Sequence, residues 1–256
     1  MLIAVRLRIF IIMFFLGGVA LATTPKDVNP SQLHFGIDEF TQALSYYSKD
    51  FTTPKTEEVL SKNLMHLQKR HLKYKNESSF VEYAFYYIHN RLLKEYKEYA
   101  SLDQTLQKGT YDCVTATAMY ALFFSELEVP YSVVETNYHL YILAFPGTGN
   151  EVLIETTDPL NGFITKKEEV SARKELYVKG NGELRANQAD LKWNVEHNLK
   201  DSELIGLLLF NQSVKHYNLG NKTKALELAN EALTYYPSSR IRTYLQFLKG
   251  NSLALR

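Results

Sequence analysis

The chain has 256 residues, 45% of them hydrophobic, and a formal net charge of +1. That is enough apolar material for one medium-sized core with a small appendage, and a near-neutral balance without basic blocks argues against nucleic acid as a partner. A single cysteine excludes an internal disulfide, and no C-x-x-C pair or tight His/Cys cluster suggests a structural zinc, so neither a metal nor another cofactor is expected.

Residues 1–22 read as a signal peptide. Arg6 and Arg8 form a positive n-region, Ile9 to Ala20 is apolar, and Ala20-Leu21-Ala22 fits a small-x-small cleavage site. The apolar run is too short to span a bilayer comfortably. The expectation is a secreted or periplasmic protein starting near Thr23, with no stable membrane span after cleavage.

Residues 23–200 are expected to form an α+β domain and residues 201–256 a helical tail. Thr23 to Ser31 is a polar linker, and Leu33 to Tyr47 can form a helix. Thr53-Pro54 reads as a cap with proline at the first helical position, opening a helix that buries Val59, Leu60, Met65 and Leu67. A longer helix is predicted from Ser79 to about Tyr99. Its apolar and aromatic residues (Phe80, Tyr83, Ala84, Tyr87, Ile88, Leu92) recur at three and four positions, a packing stripe.

Cys113 to Leu127 reads as a helix, stopped by Val129-Pro130. The period then changes. Tyr131–Glu135, Tyr138–Phe145 and Val152–Thr157 read as strands, with Pro146 to Asn150 as the turn between the last two. A Cys-bearing helix followed by at least three strands is an α+β arrangement. Residues 167–200 are polar and hard to read, apart from a turn at Lys179-Gly180-Asn181-Gly182. Leu204–Leu219, Lys222–Tyr235 and Arg240–Leu253 read as three helices. Asn-x-Ser/Thr triplets at Asn76, Asn211 and Asn221 matter only in a host that glycosylates secreted proteins.

A lone thiol in an exported chain asks for a reason. Cysteine attacks as its thiolate, so a nucleophilic site must lower the thiol pKa. Two devices are legible. Thr110 or Asp112 can cap the helix and place the sulfur at its positive end, and His139 at the start of a strand can take the proton. The neighbouring Asp112 carboxylate pulls the other way. Glu155 or Asp158 can orient His139. Side chains alternate along a strand, so pairing Phe145 with Gly149 or Glu151 puts Glu155 on the face of His139. Pairing Phe145 with Asn150 favours Asp158. The oxyanion donor is expected to be the Cys113 backbone N–H with one further side chain.

At these residues the segment Gly109 to Gly162 resembles the transglutaminase-like cysteine hydrolase superfamily. The small-residue-rich helix from Cys113, the Val129-Pro130-Tyr131 turn, the Asn137-Tyr138-His139-Leu140-Tyr141 strand and Ile154-Glu155-Thr156-Thr157-Asp158-Pro159 carry the likeness. The resemblance implies a Cys-bearing helix packed on an antiparallel sheet. It also implies a Cys113–His139–acid triad, with family spacing favouring Glu155, and a peptide or protein substrate cleaved or acyl-transferred through a thioester. The Trp usual after the histidine is at best Tyr141 here. The same superfamily includes inactive members, which leaves a protein-binding module as the competing expectation.

In the tail, Gly220, Ala225, Ala229, Ala232 and Pro237 resemble the second helix of a tetratricopeptide repeat. The first helix fits poorly, with Ser213 and His216 at expected contact positions. One repeat cannot bury its own face. The tail is therefore expected to act as a buttress, with a protein partner bound through residues 201–256 as the alternative.

Overall fold

The computed structural model describes residues 53–136, 139–179 and 196–250. The expected signal peptide, linker, Leu33–Tyr47 helix and Gly180–Gly182 turn lie outside them. Helix α1 (Pro54–His71) begins at the expected cap, where Thr53 Oγ1 accepts the Thr56 N–H. Its fully buried residues are Thr56, Leu64 and Leu67, so the inward stripe is turned towards Leu64 and leaves Met65 half-buried.

Helix α2 (Glu77–Leu92) is capped by Asn76 and ends well before Tyr99. Leu93 turns extended, and the Lys94 and Glu95 N–H groups both donate to Gly109 O. This starts β1 (Glu95–Tyr96), parallel to β2 (Thr110–Tyr111). No glycine or proline marks the stop; the cause is a partner strand further along the chain. Between the two strands lies α3 (Leu102–Lys108), unforeseen in the sequence and closed by Gly109 at φ +78°. A Cβ at Gly109 would stand 2.3 Å from Lys94 Cγ.

Helix α4 (Cys113–Glu126) is buried at every position from Val114 to Phe124. A helix apolar all round belongs in the centre of a core. Tyr120, fully buried, satisfies its hydroxyl by donating to Phe85 O at 2.8 Å. Against α4 lies an antiparallel five-stranded sheet in the order β6-β5-β4-β3-β7. The strands are β3 (Tyr131–Glu135), β4 (Leu140–Ala144), β5 (Val152–Ile154), β6 (Phe163–Ile164) and β7 (His197–Leu199).

Alternation assigns the two faces. Val133, Leu140, Ile142, Ala144, Val152 and Ile154 join the main core with α4. Val134, Tyr141, Leu143, Leu153 and Ile164 form a second cluster. Helix α5 (Lys167–Lys179) covers that cluster with Val170 and Tyr177.

Helices α6 (Asp201–Asn218), α7 (Lys222–Tyr235) and α8 (Ser239–Leu248) form a C-terminal bundle. Leu204, Ile205 and Leu207 to Leu209 of α6 belong to the same cluster as α4, so the bundle and the sheet layer share one core. Gly206 permits a close crossing: a Cβ there would lie 2.5 Å from Tyr236 Cβ and 2.9 Å from Tyr236 N. Ser213 is buried and donates to Ala225 O at 2.5 Å. The third helix ends at Leu248, earlier than expected. Among the described residues no helix is long and apolar enough to cross a membrane.

Candidate active site

Cys113 is the first residue of α4, and Asp112 is its cap. Asp112 Oδ1 accepts the Thr115 N–H at 2.8 Å and the Thr115 hydroxyl at 2.9 Å, while the Asp112 N–H donates back to Thr115 Oγ1 at 2.8 Å. This reciprocal box explains why the helix starts here. The other oxygen, Oδ2, accepts Asn211 Nδ2 from α6 at 2.9 Å. The amide of one Asn-x-Ser/Thr triplet is thus committed to this contact.

The cap does not activate the sulfur in this conformation. Burial pushes the Cys113 thiol up to about 12, and the Asp112 and Glu155 carboxylates push the same way. The N–H groups of Val114 and Cys113 oppose this and lose. The expected lowering of the pKa is therefore not met, because half-buried sulfur between two carboxylates disfavours a thiolate more than the helix end favours one. Burial also raises the Asp112 carboxyl, against its hydrogen bonds.

Opposite the cap, the β4–β5 register places Ala144 across from Val152 and Ile142 across from Ile154. Continued outward, it sets Phe145 opposite Glu151 and Tyr141 opposite Glu155. His139 and Glu155 then share a face, and they meet: His139 Nε2 lies 2.5 Å from Glu155 Oε2. Glu155 is 4% exposed and has two further donors. Tyr177 Oη donates to the same Oε2 at 2.5 Å, and Thr157 Oγ1 donates to Oε1 at 3.1 Å.

The Tyr177 ring also rests on His139, with centroids 4.8 Å apart, and its own pKa is raised by burial and by Glu155. Nothing in the sequence singled out this tyrosine, which sits in a polar helix without a clear apolar period. Asp158 has a different task. Its Oδ1 accepts the Leu160 and Asn161 N–H groups at 3.1 and 2.9 Å. It thereby shapes the turn that returns Gly162 to Glu155, whose N–H donates to Gly162 O at 2.7 Å.

Cys113 and the His139–Glu155 pair gather at one end of the sheet from opposite sides. Thr156, the neighbour of Glu155, faces α4 and shares a hydrogen bond of 3.1 Å with Thr117, one turn beyond Cys113. Glu155 itself faces α5. Its charge reaches the sulfur, but among the described residues no hydrogen bond or ion pair joins Cys113 to His139. Tyr96 is a further neighbour. Burial raises its phenol to about 12, with Cys113 the next cause, and its ring meets Tyr111 edge-on at 5.8 Å.

Among the described residues no group of three or more His, Cys, Asp or Glu side chains is placed to hold a metal ion. Comparison with known protein families, curated proteins and solved structures gave no match.

Proposed function

We propose that this protein is an exported, transglutaminase-like cysteine acyl-transfer enzyme acting on peptide or amide bonds. The observation that carries the reading is the His139–Glu155 pair, already bonded at 2.5 Å, at the sheet end where the only cysteine opens α4. With Nε2 committed to Glu155, Nδ1 is the nitrogen that takes a proton. The thiol is neutral at rest, so the proton leaves as the bond forms, not before.

In that sequence the sulfur attacks the carbonyl carbon while His139 Nδ1 takes the S–H proton. The tetrahedral oxyanion accepts from the Cys113 N–H and the Tyr96 hydroxyl. Collapse expels the amine, which receives the proton from His139, and leaves a thioester on Cys113. Water or a second amine then attacks the thioester, giving its proton to His139 and restoring the thiol. The step requires His139 Nδ1 and the Cys113 sulfur to meet around the end of β4 and β5. Glu155 holds the ring, and the helical tail buttresses the α4 end through Asn211.

The test is an electrophilic acyl probe followed by intact-mass analysis. The expected result is one adduct on Cys113, lost in Cys113→Ala and strongly slowed in His139→Ala. Equal labelling of Cys113→Ala would refute the nucleophile.

One observation favours a second reading. A half-buried, neutral thiol flanked by Asp112 and Glu155, on the far side of the sheet from His139, suits a catalytically silent protein-binding module. That reading expects no acyl adduct at all.

A further inference from the structure

Away from Cys113, helices α1, α2 and α3 enclose a cleft of about 810 Å³. Five cationic side chains line it: Lys62 and Lys69 from α1, Arg91 from α2, Lys94 after it, and Lys108 at the end of α3. Glu58 is the one carboxylate among the lining residues. The whole chain carries a formal charge of only +1, so this cleft concentrates positive charge that the rest of the molecule offsets. Among the described residues Lys62, Lys69 and Lys108 are exposed and make no ion pair. Like charges gathered without counter-ions cost stability, and clefts of one sign focus the field on ligands of the other.

We infer that this cleft docks an acidic peptide segment of a partner protein. Three features select that ligand among anions. Lys62 and Lys69 are seven positions apart on α1, about 10 Å along the axis, too far for one compact anion to bridge. Carboxylates repeating along an extended chain can meet successive cations. The principal aromatic of the wall, Tyr87, is already occupied: His66 stacks on it with centroids 4.4 Å apart and planes 7° apart, and Arg91 lies over it at 5.9 Å. A nucleobase therefore has no free ring to stack on. Finally, the half-buried Val59 and Met65 interrupt the charges with apolar surface, which suits alternating side chains better than a bare polyphosphate. The inference is independent of any chemistry at Cys113.

The experiment is fluorescence anisotropy with the full chain and a labelled peptide of alternating Glu and Leu. Saturable binding that weakens steeply with salt is expected. The triple variant Lys62→Glu/Lys69→Glu/Lys108→Glu is expected to bind at least about tenfold more weakly, with unchanged circular dichroism. Glu58→Gln, which removes the opposing carboxylate, is expected to bind more tightly, so the idea stays testable if the triple variant misfolds. No binding, equal binding by wild type and Glu58→Gln, or tighter binding of tripolyphosphate or a single-stranded oligonucleotide overturns it.

Discussion

Tyr177 and His139 converge on one oxygen of Glu155, each 2.5 Å from Oε2. A buried carboxylate held by two such donors, with a third from Thr157 on its other oxygen, is fixed in direction, and it fixes the imidazole in turn. Tyr177→Phe keeps the ring packing on His139 and removes only the hydroxyl. The expected loss is about 1 kcal/mol of stability by urea unfolding. Cys113 acylation should slow by less than about tenfold, against about a hundredfold or more for His139→Ala. Identical losses in the two variants would make Tyr177 part of the proton path, contrary to its position beyond Glu155.

Gly162 holds the turn behind Glu155 closed. A Cβ there would lie 2.3 Å from Asp158 O and 2.4 Å from Glu155 O, both backbone atoms that cannot swing away. Gly162→Ala is expected to cost about 1–3 kcal/mol and to slow acylation by displacing Glu155. A thermal melt with a midpoint equal to wild type would contradict the close approach.

The thiol makes stability depend on alkaline pH. Its folded pKa, about 12, is raised above the ordinary 9.0. The neutral thiol's contribution is therefore full below pH 9 and is lost as pH rises towards 12. Comparing wild type with Cys113→Ala cancels the tyrosines that titrate nearby. By pH 10 the wild type is expected to lose about 1 kcal/mol more than the variant, relative to pH 8. The opposite sign, with wild type gaining, would mean an activated thiolate.

Glu135 ties the sheet to the C-terminal bundle. It is 4% exposed, accepts the Tyr236 hydroxyl at 2.5 Å and pairs with Arg240. Glu135→Ala leaves the tyrosine hydroxyl unsatisfied and is expected to cost about 2 kcal/mol. Glu135→Gln should cost less, since the Arg240 side chain is 42% exposed and can be solvated. A chain ending at Lys200 uncovers α4 where Leu204 to Leu209 pack and is expected to lose cooperative unfolding. A sharp melting transition in that truncated chain would instead make the tail separable.

Local signals carried much of the reading. Thr53-Pro54, the helix from Cys113, the strand Tyr131–Glu135 and the turn at Pro146 to Asn150 each announce themselves within a few residues. The stop of α2 at Leu92 does not, because it is imposed by pairing with Thr110 and Tyr111. Strand β7 is similarly obscure: His197–Leu199 is short and polar, and Leu199 alone of the three is buried. At the site, two of the three possible hairpin registers put Glu155 on the face of His139 and one favoured Asp158, and only the observed pairing separates them. Tyr177 is brought to Glu155 by the packing of α5, which no pattern in its own sequence encodes. The raised thiol pKa was also out of reach, because it depends on how deeply Cys113 sits and how near Glu155 comes.

Whether His139 and Glu155 drive nucleophilic attack by Cys113 is tested most directly by the rate of single-turnover acylation at pH 7, followed by mass spectrometry with an activated amide or ester. Wild type, His139→Ala and Glu155→Gln would be compared. One thioester on Cys113 is expected in the wild type, its formation slowed about a hundredfold or more in His139→Ala and to an intermediate degree in Glu155→Gln. Equal rates in all three, or no adduct on Cys113, would contradict this and leave the binding module as the reading of this fold.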